Sequence, residues 1–332
     1  MTQTLLQDKF GRVIRDLRIS VTDKCNFRCF YCIPDEDVVW KRRQDILTYE
    51  EIILIAEIAV SLGVEKLRLT GGEPLLRKDI EFLIERLAKI EGVKDLALTT
   101  NADGLKERAK SLRDAGLSRL TISCDSLKPE VFKQITRRDA LQSVLDGIEG
   151  AMAAGFAPPK INCVVIRGMN ETEVADFADF ARQTGVAMRF IEYMPLDNAH
   201  QWDRTMMVSG REILERIEAR HKLVPIKRDN PSETALKYVF ADGAKGEIGI
   251  IAPVTQAFCG ACSRLRLTAD GNLRTCLFSM VDHSIRDRIR RDDTRAALAQ
   301  FMIDTVMKKE AGHRINEPDF IQPPRTMVFI GG

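Results

Sequence analysis

An α/β fold of parallel strands and crossover helices, followed by a smaller α+β extension, is what this 332-residue chain predicts. Three observations predict it. From about residue 13 to 193, short β-branched runs alternate with amphipathic helical segments, the period of repeated βα units. After about residue 200 that period gives way to one helix and several runs that read as antiparallel strands. The carboxyl ends of the early strands carry glycine or polar residues, and in such folds ligands collect beyond those ends. Six units suit either an open doubly wound sheet or an incomplete (βα) barrel, and periodicity alone leaves both open.

The candidate strands are VIRDLRISV, KLRLT, KDLALTT, RLTISC, KINCVVI and MRFIEY, with helices near 48–62, 77–90, 104–115, 139–154 and 171–184. The first helix is punctuated at both ends. Thr48 and Glu51 form a capping box, and Gly63 stands where a left-handed residue closes the helix. The strand ends at 70–73, 99–101, 123–125 and 192–194 share one rim. Beyond residue 200 come the helix SGREILERIEARH, the strands LKYVF and GEIGII, and two helical stretches between about 284 and 309. Asp270 and Gly271 signal a hairpin joining RLRLT to NLRTCLF. This later part reads as a separate layer, so the chain divides into 1–200 and 201–332.

Six of the eight cysteines stand in two distant triplets, Cys25, Cys29 and Cys32, then Cys259, Cys262 and Cys276. The hairpin would carry Cys276 back toward Cys259 and Cys262. A structural zinc site closes with four protein ligands and an electron-transfer cluster usually has four cysteines, whereas three leave one metal position open to a small molecule. Cys124 and Cys163 lie in apolar runs and read as core residues. The first ten residues, MTQTLLQDKF, lack the pattern of a secretory signal, so extracellular disulfides are not expected and the setting is read as cytoplasmic. The apolar run at 52–60 is far shorter than the roughly 20 residues that span a bilayer. Fifty basic against 48 acidic residues leave no overall electrostatic footprint for nucleic acid.

The first triplet reads CNFRCFYC, with an aromatic residue before the last cysteine, and resembles the signature of the radical S-adenosylmethionine enzymes. In order, GRVIRDLRISVTDKCNFRCFYC, LRLTGGEPLLR, LTTNA, RFIEYM, FCGACSRLRLTADGNLRTCLF and the final GG resemble the GTP 3′,8-cyclases, the molybdenum cofactor biosynthesis protein A family. The resemblance spans nearly the whole chain. It implies an incomplete (βα)6 TIM-type barrel with a C-terminal α+β extension, and two [4Fe-4S] clusters. Cys25, Cys29 and Cys32 would hold the first, whose open iron takes S-adenosylmethionine; Cys259, Cys262 and Cys276 would hold the second, whose open iron takes the guanine of GTP.

Further assignments follow from the same resemblance. Gly71, Gly72 and Glu73, with Tyr31, Ser123 and Met194, match positions that contact S-adenosylmethionine. The glycines, lacking Cβ, would let the backbone approach its methionine end. Arg18, Arg68, Thr99, Lys160, Arg264, Leu265 and Arg266 match positions that contact GTP. Arg264 and Arg266, two apart in an extended run, share a strand face and suit a phosphate or a base edge. Gly331 and Gly332 would enter the catalytic pocket beside Arg264 and Arg266. The implied reaction abstracts hydrogen from C3′ of the ribose and joins C3′ to C8 of guanine. An external one-electron reductant, a homodimer and product transfer to a cyclic pyranopterin monophosphate synthase are also implied.

Two positions depart from the family pattern: Ala102 stands where glycine is common, weakening any expectation of a positive φ, and Cys124 where leucine is usual. Two readings compete. A radical S-adenosylmethionine peptide modifier would also pair an N-terminal triplet with C-terminal cysteines, and a zinc or iron-sulfur binding module would need a completing ligand such as His283.

Overall fold

The structure, a computed structural model, describes residues 5–34, 38–197, 202–228 and 230–331. All six expected βα strands form, each followed by helix: β1 (Asp16–Ser20), α1 (Tyr49–Ser61), β2 (Lys66–Thr70), α2 (Ile80–Ala88), β3 (Asp95–Thr100), α3 (Leu105–Asp114), β4 (Arg119–Ser123), α4 (Pro129–Thr136), α5 (Leu141–Ala153), β5 (Lys160–Val165), α6 (Val174–Thr184) and β6 (Ala187–Glu192). The capping box of α1 is present in both directions, and Gly63 takes φ +95°. Helix α4 was not anticipated. Its eight residues bury only Phe132, Ile135 and Thr136, too few to register as a periodic pattern.

The later part contributes α7 (Gly210–Glu218), β7 (Leu223–Ile226), β8 (Leu236–Phe240), β9 (Glu247–Ile251), β10 (Arg264–Leu267), β11 (Asn272–Arg274), β12 (His283–Ser284), α8 (Arg286–Ile289), α9 (Arg295–Met307) and α10 (Met327–Ile330). The hairpin forms as expected, with Gly271 at φ +79° and Leu267 opposite Leu273. The separate layer does not. One sheet of twelve strands runs β12-β11-β10-β1-β2-β3-β4-β5-β6-β9-β8-β7. β10 lies parallel to β1, Arg266 opposite Arg18, and β9 lies parallel to β6, Phe190 opposite Ile250. The (βα)6 partial barrel is thus extended at both edges by strands from the other end of the chain. Alternation in GEIGII and RLRLT reports a half-buried strand; it carries no information about which neighbour each edge will find.

Alternation sorts the side chains of the eight parallel strands. Leu17, Ile19, Leu67, Leu69, Leu98, Ile122, Ile161, Phe190, Ile250 and Leu265 are buried in one continuous core with the helices. Each such side chain contributes roughly 1.5–3 kcal/mol by leaving water. Cys124 and Cys163 belong to this core, as expected. The opposite faces, carrying Arg18, Arg68, Thr121, Lys160 and Arg264, turn inward onto open space rather than a packed interior. Among the described residues, no helix is long and apolar enough to cross a membrane.

Candidate active site

The loop after β1 carries the first triplet and is built onto two neighbours. Gly72 N donates to Thr22 O at 2.7 Å and Glu73 N to Lys24 O at 2.7 Å, tying it to the end of β2. Arg28 N donates to Thr136 O at 2.9 Å, tying it to α4, and Phe27 meets Phe132 edge-on. The guanidinium of Arg28 caps the Cys25 carbonyl at 2.7 Å, and that of Arg138 the Asn26 carbonyl at 2.7 Å. A Cβ on Gly72 would lie 2.1 Å from Lys24 O, and one on Gly71 2.5 Å from Thr22 O. The missing side chains therefore admit the cysteine loop itself, while both glycines also border the cavity.

The second triplet is framed by cations. Cys259 opens a short turn, Cys259–Ala261, and its carbonyl accepts from Arg12 Nη1 at 2.8 Å. Lys309 Nζ, buried, donates to the carbonyls of Arg264, at 2.9 Å, and Thr275, stitching β10 to the approach of Cys276. Burial pushes Cys25 up to about 11 and also raises Cys29 and Cys32. Cys262 behaves oppositely: burial raises it, but Arg264 and Lys309 bring it down to about 7. Buried thiols of this kind become thiolates when a metal supplies positive charge, and neither triplet holds a fourth cysteine.

All six cysteines, from the two ends of the chain, line a single cavity of about 320 Å³ at the carboxyl ends of the strands. Tyr31, Gly71, Gly72, Glu73, Thr99, Ser123, Met194, Arg18, Arg264 and Arg266 border it too. Glu73 is buried and accepts from Leu75 N, Thr100 Oγ1 and Asn101 N, and burial raises it to about 7. Tyr31 donates to Asp125 at 2.6 Å; burial raises that carboxyl to about 6. Arg266 donates to the Gly331 carbonyl, placing the tail at the ends of β1 and β2, where a Cβ on Gly331 would lie 3.0 Å from Ser20 Cβ. Gly332 lies outside the described residues.

A second chamber, about 680 Å³, adjoins the first through Arg18, Asn162, Thr234, Ile251 and Arg264. It opens at the amino ends of the strands: Asp16, Lys66, Asp95, Arg119, Lys160, Ala187, Glu247 and Arg264, the first residue of each of the eight parallel strands, all line it. Arg68 and Lys160 belong here, so not all the expected GTP contacts lie on the rim. Arg119 pairs with Asp95 and Arg189 with Glu247, and Arg68 donates to Thr121 at 2.9 Å and Thr99 at 3.2 Å. The side chains of Arg18 and Lys160 make no hydrogen bond or ion pair among the described residues. Burial, then Arg266, Arg68 and Arg264, drives Arg18 well below its ordinary value, and burial with Arg189 and Arg119 brings Lys160 down to about 8. With Asp16, Asp95, Glu233 and Glu247 outnumbered by the lysines and arginines around them, the chamber keeps a cationic excess suited to receive a polyanion.

Leu265 is the exception among the expected contacts. Strand alternation turns its side chain into the core, fully buried, which leaves only its backbone available to a ligand. His283 pairs at the sheet edge in β12 and does not border the cysteine cavity, whereas His313 does. The motifs placed Asp125 on the rim without a role and passed over Asn162, Arg119 and Arg189. Arg119 begins β4 as Lys160 begins β5, a signal visible once strand starts are aligned, whereas Arg189 lies two residues into β6 opposite Asn162.

The comparisons decide the family. Residues 19–181 match the Radical SAM superfamily and residues 186–315 the Molybdenum Cofactor Synthesis C family. The GTP 3′,8-cyclase of Streptomyces coelicolor is 42% identical over 99% of this chain and 96% of its own. The chain belongs to the GTP 3′,8-cyclase family. Other cyclases agree: that of Geobacter sulfurreducens is 48% identical over 87% of this chain and 88% of its own, and that of Rhodopirellula baltica 45% over 98% and 92%. Among solved structures, Streptococcus suis SuiB bound to precursor peptide SuiA matches with a TM-score of 0.62 at 15% identity, covering 97% of this chain and 77% of that one. At that identity the likeness shows a shared fold alone. It lends the peptide-modifier reading no support against cyclase relatives that span the chain.

Proposed function

We propose that this chain closes GTP into (8S)-3′,8-cyclo-7,8-dihydroguanosine 5′-triphosphate, the first step of molybdenum cofactor biosynthesis. The observation that carries the reading is that both open cysteine triplets face one cavity, continuous with a chamber whose cations outnumber its carboxylates. The donor sets fit two [4Fe-4S] clusters, each three thiols and one iron left to a small molecule. When bound, these clusters and S-adenosylmethionine supply a carbon radical able to take the C3′ hydrogen, an iron site for the base, and an electron.

The chain's own residues do the positioning. Cys25, Cys29 and Cys32 hold one cluster; Cys259, Cys262 and Cys276 hold the other. Glu73, with three donors satisfied, keeps a lone pair for the methionine ammonium. Tyr31, Ser123, Met194, Gly71 and Gly72 complete that wall. Arg18, Arg68, Thr99 and Lys160 receive the triphosphate, with Arg264, Arg266 and the Leu265 backbone alongside the nucleoside. Gly331 and Gly332 close the pocket with Arg266. Radical chemistry of this kind gains most from orientation, with reacting atoms about 3–3.5 Å apart.

The reading extends to an external one-electron reductant, a homodimer, product transfer to a cyclic pyranopterin monophosphate synthase, and a cytoplasmic setting with neither nucleic acid nor membrane as partner. It divides the chain into a radical core, 1–200, and an extension, 201–332. Anaerobic reconstitution followed by S-adenosylmethionine, a strong reductant and GTP tests it: deoxyadenosine and the cyclised nucleotide should appear together. Deoxyadenosine without nucleotide product would sink it.

A further inference from the structure

His313 lines the cysteine cavity, and both of its ring nitrogens are buried without a hydrogen-bond partner. The ring rests against Phe278 at 5.4 Å between centroids, two residues beyond Cys276. It follows Gly312, where a Cβ would stand 3.1 Å from Cys259 Cβ, so this loop lies directly on the second triplet. The loop is also held in place. Arg12 donates to the carbonyls of Glu310 at 2.6 Å and Ala311 at 2.9 Å, and Asn316 donates to Val254 O at 2.7 Å. The Pro253 backbone stands within reach of the ring without forming a hydrogen bond of good geometry, and a buried imidazole left in that state is a cost to the fold unless a ligand supplies a better partner.

We propose that His313 reads the base of the nucleotide and is a specificity-determining contact for guanine. The proposal rests on the GTP reading above. The triphosphate belongs with the cations at the amino ends of the strands, and His313 does not border that chamber. The base must therefore lie toward the second triplet, on the side where His313 stands. A neutral imidazole offers one N–H and one lone pair. The guanine edge offers a carbonyl acceptor beside N–H donors, whereas adenine places an amine where guanine has its carbonyl. A site built to bond one pattern discriminates against the other because its own polar groups are left unpaired.

The test uses protein with both clusters assembled, S-adenosylmethionine and reductant withheld, and measures affinity for GTP, ATP and inorganic triphosphate. His313→Ala should weaken GTP binding about tenfold, the loss of one buried hydrogen bond, and narrow the preference for GTP over ATP. Iron content and affinity for inorganic triphosphate should stay at the wild-type level. His313→Asn, which keeps a donor and an acceptor, should recover part of the loss. Unchanged GTP affinity in His313→Ala, an equal loss for inorganic triphosphate, or loss of the second cluster would overturn the proposal. Wild-type protein that binds inorganic triphosphate and ATP as well as GTP would instead overturn the GTP reading itself.

Discussion

Lys160 begins its strand inside the cationic chamber, and its ammonium is destabilised first by burial and then by Arg189, Arg119 and Arg68, to about 8. A triphosphate reverses that balance, so the charged form is the one that binds. The sign follows: as pH rises through about 8 the free protein loses this proton, and binding must take it up again, so GTP affinity falls with rising pH, approaching tenfold per pH unit. Binding isotherms from about pH 7 to about pH 9 should show this decline. Lys160→Gln should bind more weakly with a flatter profile, and Lys160→Arg should bind well and lose the decline. A wild-type affinity that does not change over that window would remove Lys160 from the phosphate site.

At the scale of elements, the cysteine loop depends on the turn after β2. Gly72→Ala would drive a methyl into Lys24 O, a backbone atom with no rotamer to change, at a cost of about 1–3 kcal/mol if the loop merely shifts. The expected outcome is loss of the first cluster and retention of the second, read as a halving of iron content and the disappearance of one of two iron-sulfur EPR signals. Gly260→Ala, between two cysteines of the second triplet but with open space around its Cβ, should retain both. If Gly72→Ala keeps full iron, the loop packing is not what holds the first triplet. Local devices of this sort were legible in the sequence: the capping box of α1, Gly63, the hairpin at Gly271 and the shared rim each depend on a few neighbouring residues. Ala102 shows the limit even there, since it takes φ +60° without glycine's freedom and so belies the weaker expectation drawn from its side chain. What was not legible depends on edges meeting across the chain. Nothing in RLRLT says that β10 will lie beside β1, and only that pairing brings Arg266 opposite Arg18 and the second triplet over the first.

At the scale of the whole molecule, residues 327–331 close over the ends of the strands. α10 buries Val328 and Ile330, Phe329 packs near Trp40, and Gly331 then passes beside Ser20 and Thr70 with its carbonyl held by Arg266. The tail thus touches β1, β2 and β10 at once, between the two triplets, where any bound nucleotide must be oriented. Deleting Gly331 and Gly332 should leave both clusters assembled, because the tail meets Cys32 earlier, through the Val328 backbone, while Gly331 is held by Arg266, yet abolish formation of the cyclised nucleotide. Gly331→Ala is the finer probe: its residue sits at φ +83° with Ser20 3.0 Å from the added methyl, so the tail must shift by part of an ångström. A misplacement of about 1 Å costs on the order of a hundredfold in rate when chemistry depends on alignment, so this smaller shift should lower turnover by less than that. Iron content, deoxyadenosine and cyclised nucleotide measured together separate the cases. Normal nucleotide yield from the truncated protein would show that the tail's position beside Arg266 is packing without a catalytic consequence.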